Sequence, residues 1–177
     1  NTITVNQLIL IADSTPPTFT SVPAETTVDC QNIPAVGTAD AVDNCRAGVT
    51  ISYLGQTRVN GPCQDTYTLI RTWKAEDNCG NSATATQKIN VQDVISPVFS
   101  TVPADVTVNC QSIPAAGTAT ATDNCDASVS ITYLGETRTD GACPGSYTLI
   151  RTWKAEDNCG NTTTASQTIT VQDITSP

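Results

Sequence analysis

The sequence predicts an all-β protein built from tandem repeats, and three observations carry that prediction. Asp13–Gln92 aligns with Asp93–Gln172 without a gap, and 51 of the 80 positions are identical. Apolar and polar residues alternate with period two in successive short runs, and no stretch shows helical period. Gly and Pro, ten of each, punctuate those runs.

Each run follows from its own residues. A first strand is expected at 25–30, because in the second copy Val106, Val108 and Cys110 alternate with Thr107 and Asn109. The next are expected at 36–42 and 49–54, where Ile51 and Tyr53 alternate with Thr50 and Ser52. At 67–75, Tyr67, Leu69, Arg71 and Trp73 share one face, with Thr68, Ile70, Thr72 and Lys74 on the other. The last, at 83–92, alternates Ala85, Gln87, Ile89 and Val91 with Thr86, Lys88 and Asn90. A unit of this size can enclose its own core, so each copy reads as a bead. Five to seven short strands per bead suggest tandem immunoglobulin-like β-sandwiches.

The domain plan follows the repeat. Residues 1–12 read as the last strand of a preceding repeat: Asn1, Gln7 and Ile9 stand where Asn81, Gln87 and Ile89 do. Repeat 1 is 13–92, repeat 2 is 93–172, and 173–177 read as the start of a following repeat. The chain begins without Met and shows no signal peptide. It is therefore expected to be a mature or excised segment of a longer array.

Composition removes several function classes. Eight basic against seventeen acidic residues give a net charge of −9. Phosphate binding needs clustered Lys and Arg, so nucleic acid is not an expected partner. An anionic membrane surface is disfavoured for the same reason. No apolar run reaches the roughly 18 residues of a spanning helix, so no membrane insertion is expected. Histidine is absent, which removes the usual general base and every Ser-His or Cys-His pair. The chain is not expected to be an enzyme, and no catalytic residue is assigned.

Eight cysteines in a repeating pattern point to a secreted, disulfide-bonded protein. If successive strands run antiparallel, the turns alternate between two ends of the bead. Cys30 and Cys63 then share one end; Cys45 and Cys79 share the other, facing the preceding repeat. This predicts two disulfides per repeat: Cys30–Cys63 and Cys45–Cys79, then Cys110–Cys143 and Cys125–Cys159. Zinc is the rival use, but it prefers tightly spaced pairs, and no C-x₂₋₄-C occurs.

The carboxylates gather in the same loops. Asp13 opens the linker, and Asp43, Glu76 and Asp77 lie in the two loops expected to meet it. The second copy offers Asp93, Asp123, Glu156 and Asp157. Left bare, such groups repel one another, and Ca²⁺ is the hard cation that gathers carboxylate, amide and carbonyl oxygens. Calcium is thus the candidate cofactor. Plain turn chemistry is the alternative, since Asp and Asn cap turns and Gly supplies positive φ. It accounts for the residue types but not for the repeated phase of Asp13, Asp93 and Asp173. Trp73 and Trp153 read as core anchors. Arg71 and Arg151 are placed to stack on a ring. Asn161-Thr162-Thr163 matches the N-glycosylation acceptor. Asp13-Ser14-Thr15 resembles a short O-glycosylation motif of Bacteroidetes, which makes Ser14 a second acceptor.

Three stretches carry a resemblance: Pro-Ala-Glu-Thr-Thr-Val from Pro23, Thr-Trp-Lys-Ala-Glu-Asp-Asn-Cys-Gly-Asn from Thr72, and the closing Ile-Asn-Val-Gln-Asp-x-x-x-Pro from Ile89. They resemble the hyalin-repeat (HYR-like) family. The Asp-Asn-Cys form looks like the tandem repeats of very large Bacteroidetes cell-surface proteins, gliding adhesins among them. The resemblance implies an immunoglobulin-like fold and an extracellular or cell-surface location. It implies a structural role as stalk or filament repeats in adhesion or surface motility. The partners would be neighbouring repeats of the same chain and other copies in a filament. Two alternatives stand beside it: a glycan- or protein-binding module, and a filament subunit in which residues 1–12 complete a neighbour's sheet.

Overall fold

The structure is a computed structural model that describes residues 3–45, 48–143 and 145–172. It is all-β, as the alternation requires. The first repeat carries β1 (Thr18–Ser21), β2 (Thr26–Val28), β3 (Asp40–Val42), β4 (Thr50–Asn60), β5 (Tyr67–Glu76) and β6 (Ser82–Val91). The second carries β7 (Val98–Thr101), β8 (Val106–Val108), β9 (Thr120–Thr122), β10 (Ser130–Asp140), β11 (Tyr147–Glu156) and β12 (Thr162–Val171). In each repeat a two-stranded and a four-stranded sheet form: β1-β3 with β2-β6-β5-β4, and β7-β9 with β10-β11-β12-β8.

The chain divides into two compact units. The first takes the described residues of Asn1–Thr27, Pro34–Val59 and Thr68–Asn90; the second takes those of Val28–Ile33, Asn60–Tyr67 and Val91–Pro177. The division departs from the repeat boundary at two places. The cysteine loops 28–33 and 60–67 come from the first repeat, yet belong to the second unit.

The central strands behave as their alternation predicts. Along β5, Leu69, Arg71, Trp73 and Ala75 are buried; along β11, Leu149, Arg151, Trp153 and Ala155 are. Antiparallel pairing sets Leu149 opposite Ile169 and Tyr147 opposite Val171. Parallel pairing then sets Ile169 beside Val106 and Val171 beside Val108. Leu149, Ile169 and Val171 form a core cluster, covered by Val106, Val108 and Tyr147. Each tryptophan is an anchor, packed against a tyrosine: Trp73 on Tyr53 at 5.5 Å and Trp153 on Tyr133 at 5.4 Å between centroids.

The strand expected at 36–42 is only Asp40–Val42. Residues before it are held by a side chain instead of a ladder. Arg71 is buried and donates to the carbonyls of Pro34 (2.7 Å) and Ala35 (3.0 Å), and to Gln56 Oε1. Gly37 lies so close to Pro23 that a Cβ would sit 2.8 Å from the proline Cγ. Arg151 likewise donates to the Pro114 carbonyl and pairs with Glu136 at 3.0 Å. The buried arginines thus clamp backbone, whereas Arg138 sets its guanidinium over a ring, 3.7 Å from the Tyr147 centroid.

Residues 3–12 form no strand. Ile3, Val5, Leu8, Leu10 and Ile11 are all more than four-fifths exposed. Ile9 and Ile11 stand where the fully buried Ile89 and Val91 do in β6. Asn1 and the expected start of a following repeat at 173–177 lie outside the described residues.

Candidate functional site: disulfides and acidic clusters

Two loops of each repeat are shaped for their cysteines by short backbone hydrogen bonds. At Cys30 the Asn32 N–H donates to the Asp29 carbonyl (3.0 Å). At Cys63 the Thr66 N–H donates to the Cys63 carbonyl (3.3 Å), and Gly61 to Thr66 (2.8 Å). The other two cysteines follow aspartates. Cys125 N donates to Asp123 Oδ1 and Cys159 N to Asp157 Oδ1, both at 2.8 Å.

The bonds that form correct the sequence expectation. Cys30 bonds Cys125, with Cα atoms 5.9 Å apart, and Cys63 bonds Cys159, with Cα atoms 5.1 Å apart. Both lie within the second unit. The predicted pairs Cys30–Cys63 and Cys125–Cys159 are therefore excluded. Cys45, Cys79, Cys110 and Cys143 are free and exposed, so Cys45–Cys79 and Cys110–Cys143 do not form, and two disulfides per repeat becomes two disulfides across two repeats. The physical reason is placement. Loops 28–33 and 60–67 pack with the second repeat, so their cysteines meet that repeat rather than each other.

Polar contacts surround both bonds. Asn124 donates to both Asp29 carboxylate oxygens (3.1 Å each), and Gln31 Nε2 donates to the Asn124 carbonyl (2.9 Å). Asn158 Nδ2 donates to Asp65, and the Thr66 hydroxyl lies 3.7 Å from Cys159 Sγ.

The eight predicted calcium ligands fall into three groups. Asp93 and Asp123 come together, as do Asp13 and Asp43, with carboxylate oxygens and a nearby sulfur within 4.8 Å of one another. In the first cluster that sulfur is Cys125, already in a disulfide, so it brings no thiolate. Asp77 and Asp157 are different. Asp77 Oδ1 accepts from the N–H groups of Cys79 (2.8 Å) and Asn81 (2.9 Å), and Oδ2 from Asn81 Nδ2 (2.8 Å). Asp157 does the same with Cys159 and Asn161. These two carboxylates are occupied as loop caps, which is the turn reading. Gly80 and Gly160 close the loops at φ 89° and 86°, a region that costs other residues strain. Glu76 and Glu156 are ion-paired to Lys74 and Lys154 along their own strands.

Electrostatics separates the groups further. Burial alone would raise the Asp77 carboxyl, but the Asn81 amide and the N–H groups of Asn81, Cys79 and Gly80 hold it below its ordinary value. Asp93 moves the other way. Burial pushes it up against the single Ile95 N–H, and the charges of Asp123, Asp157 and Asp65 add to the rise. Asp93 Oδ2, Asp123 Oδ2 and Asp43 Oδ2 are buried without a hydrogen-bond partner. A buried, unpaired carboxylate oxygen costs free energy unless a cation or donor meets it.

The Cys45 thiol is also pushed up, first by its hydrogen bond with Asp13, then by burial and by the charges of Asp13, Asp43 and Cys79. Asn161 Nδ2, the atom a glycan would take, donates to Asp157 Oδ2 (2.8 Å) and the Asp93 carbonyl (3.3 Å). Ser14 is exposed. Asp29, Asp65 and Asp126 were not among the predicted residues. Asp126 is buried and accepts from Ser128 N and Asn158 N. Nothing in the spacing distinguishes these three from surface acids.

Residues 98–171 match the HYR-like domain with 4 cysteines. This segment is an HYR-like domain. No curated protein matches the chain significantly. Among solved structures, the chain is similar to Drosophila N-cadherin EC1-4 at 13% identity, covering 90% of this chain and 50% of that one, with a TM-score of 0.41. It is similar to protocadherin gamma B2 extracellular cadherin domains 3–6 at 14% identity, covering 91% and 52%, TM-score 0.41. Mouse cadherin-23 EC22-24 follows at 19%, covering 90% and 67%, TM-score 0.40. The chain thus spans about half the length of the first two.

Proposed function

We propose that the chain is a structural segment of an extracellular or cell-surface adhesin, a covalently locked spacer rather than a ligand-binding or catalytic domain. The observation that carries this reading is the pair of disulfides, which joins loops of the HYR-like repeat to loops of the repeat before it in sequence. Such bonds persist in oxidising compartments, which favours a secreted protein. Neighbouring repeats are then the principal partners. The resemblance to Bacteroidetes surface repeats makes a stalk or filament in adhesion or motility the finer reading.

Calcium completes the proposal. The residues left for it are Asp93 with Asp123, and Asp13 with Asp43. The unpartnered buried oxygens of Asp43, Asp93 and Asp123 are hard donors of the type Ca²⁺ takes, and a divalent charge would offset the burial and the repulsion that raise Asp93. Glu76, Glu156, Asp77 and Asp157 would instead shape the loops around it. Ser14 remains the better placed of the two modification candidates.

Calorimetry of the non-reduced chain, in calcium and then in EDTA, tests the cation role. At a calcium concentration ten times Kd, a site contributes about 1.4 kcal/mol. For a chain of this size that is roughly 3–6 °C in Tm. Asp93→Asn with Asp123→Asn should remove the shift carried by that site. Equal melting of the wild type in both buffers would reject calcium and leave stiffness to the disulfides.

A further inference from the structure

We propose that Cys45, Cys79, Cys110 and Cys143 are the two open halves of the same bond pair, and that each takes a disulfide from an adjoining repeat of the same four-cysteine kind. The two bonds seen in the chain set the rule. The first cysteine of a repeat bonds the second cysteine of the next, and the third bonds the fourth. Moved by the 80-residue period, the rule sends Cys110 to the second cysteine of a following repeat and Cys143 to its fourth. Moved the other way, it gives Cys45 and Cys79 to the first and third cysteines of a preceding repeat. This deepens the spacer reading, since every repeat-to-repeat step would carry two covalent bonds.

The free cysteines already sit in the conformations of the bonded ones. The Ser112 N–H donates to the Asn109 carbonyl (2.9 Å), as Asn32 does to Asp29 beside Cys30. The Ser146 N–H donates to the Cys143 carbonyl (3.1 Å) and Gly141 to Ser146 (2.8 Å), as Thr66 and Gly61 do around Cys63. On the receiving side, Cys45 N donates to Asp43 Oδ1 and Cys79 N to Asp77 Oδ1, both at 2.8 Å, the same distance as at Cys125 and Cys159. All four thiols are exposed. The flanking polar groups are kept too: Gln111 stands for Gln31, Ser146 for Thr66, and Asn44 and Asn78 for Asn124 and Asn158. Two acids change: Asp65 is replaced by Gly145 and Asp29 by Asn109, so a following junction would lack the first contact and keep a single amide oxygen in place of the Asp29 carboxylate.

The chemistry balances with a low-molecular-weight disulfide such as oxidised glutathione as oxidant. Two thiols lose two electrons and two protons to form one S–S bond, and one glutathione disulfide is reduced to two glutathione thiols. In each exchange step a cysteine thiolate attacks a disulfide sulfur and a glutathione thiolate leaves.

The test extends the chain by one further copy of residues 93–172 placed after Gln172, folded in a glutathione redox buffer. Thiols are then alkylated and disulfide-linked peptides mapped by mass spectrometry without reduction. Cys110 should appear linked to the second cysteine of the added copy and Cys143 to the fourth. Cys45, Cys79 and the added copy's first and third cysteines should be alkylated. Bonds within the added copy, or alkylated Cys110 and Cys143 beside intact Cys30–Cys125 and Cys63–Cys159, would overturn the proposal. Cys110→Ser separates pairing from misfolding: the added copy's second cysteine should become alkylatable while the Cys143 bond survives. Re-pairing of Cys143 to that second cysteine would equally overturn the register.

Discussion

Replacing Cys30 and Cys125 together by serine removes one cross-link and leaves Cys63–Cys159 in place. The magnitude follows from the loop each bond closes. Cys30 and Cys125 are 95 residues apart, for which the chain-entropy relation gives about 4.7 kcal/mol. The surviving bond already draws the unfolded ends together, shortening the effective loop by about a third. Because the dependence is logarithmic, the expected loss falls only to roughly 4.4 kcal/mol. The assay is guanidinium unfolding followed by Trp153, buried in the second unit with both bonds. A Trp73→Phe background removes the first unit's signal. The midpoint should fall in both backgrounds, and the slope should rise, because the denatured chain without that cross-link exposes more surface. A loss under about 1.5 kcal/mol would refute the reasoning. So would a Cys30→Ser chain in which mass mapping finds Cys63, and not Cys125, newly alkylatable.

Further outcomes are expected from pH and from single substitutions. In EDTA, raising the pH should destabilise the chain. The Asp93 carboxyl lies above its unfolded value of about 3.9 when folded, so its contribution is full below that pH and is lost as pH rises through the folded value. Calcium should flatten the profile, and a thermal-melt pH series in both buffers reads it. Asp77 has the opposite sign: its folded carboxyl is depressed, so its contribution is present above about 3.9 and fades as pH falls through the folded value. Asp157→Ala should cost about 2–4 kcal/mol by urea unfolding, because three donors lose a charged acceptor. Arg151→Met should cost about 1–3 kcal/mol, since it leaves the Pro114 carbonyl without its donor, while the half-exposed Glu136 stays solvated. Glu136→Gln should cost under about 1 kcal/mol, because it installs the residue the first repeat already uses, Gln56 beside Arg71.

Much of the fold was legible because alternation has a direct structural meaning. The Leu69–Trp73 face and its copy at Leu149–Trp153 are buried as their phase demands. Loop placement brought four acids to each junction; the structure gathers Asp13 with Asp43 and Asp93 with Asp123, and turns the other four to loop caps and ion pairs. Other features were not legible. β1 and β7 are four-residue strands just after the linker prolines, too short for alternation to register. The role of Arg71 was hidden because a buried clamp and a stacking cation share one face in a sequence. Asp-Asn-Cys serves both an acidic cluster, at Asp123, and a closed turn, at Asp157; only the partners of Oδ2 tell them apart. The disulfides failed for a different reason. Placing Cys30 and Cys63 at one end was sound, but spacing within a repeat says nothing about what that end meets.

The interlaced bonds also fix a mechanical limit. Tension entering at the first residues can pass from Cys30 straight to Cys125, so the 95 residues between them stay slack. At about 3.3–3.6 Å per extended residue, that withholds some 30 nm of contour length. A pulled chain would therefore stop short, at its sulfur bridges, while β3 to β9 stayed unloaded and free to refold; β10, β11 and β12 lie beyond Cys125 and carry the tension. Reduction would release that hidden length in one step, so the redox state of the surroundings sets how far such a tether can pay out.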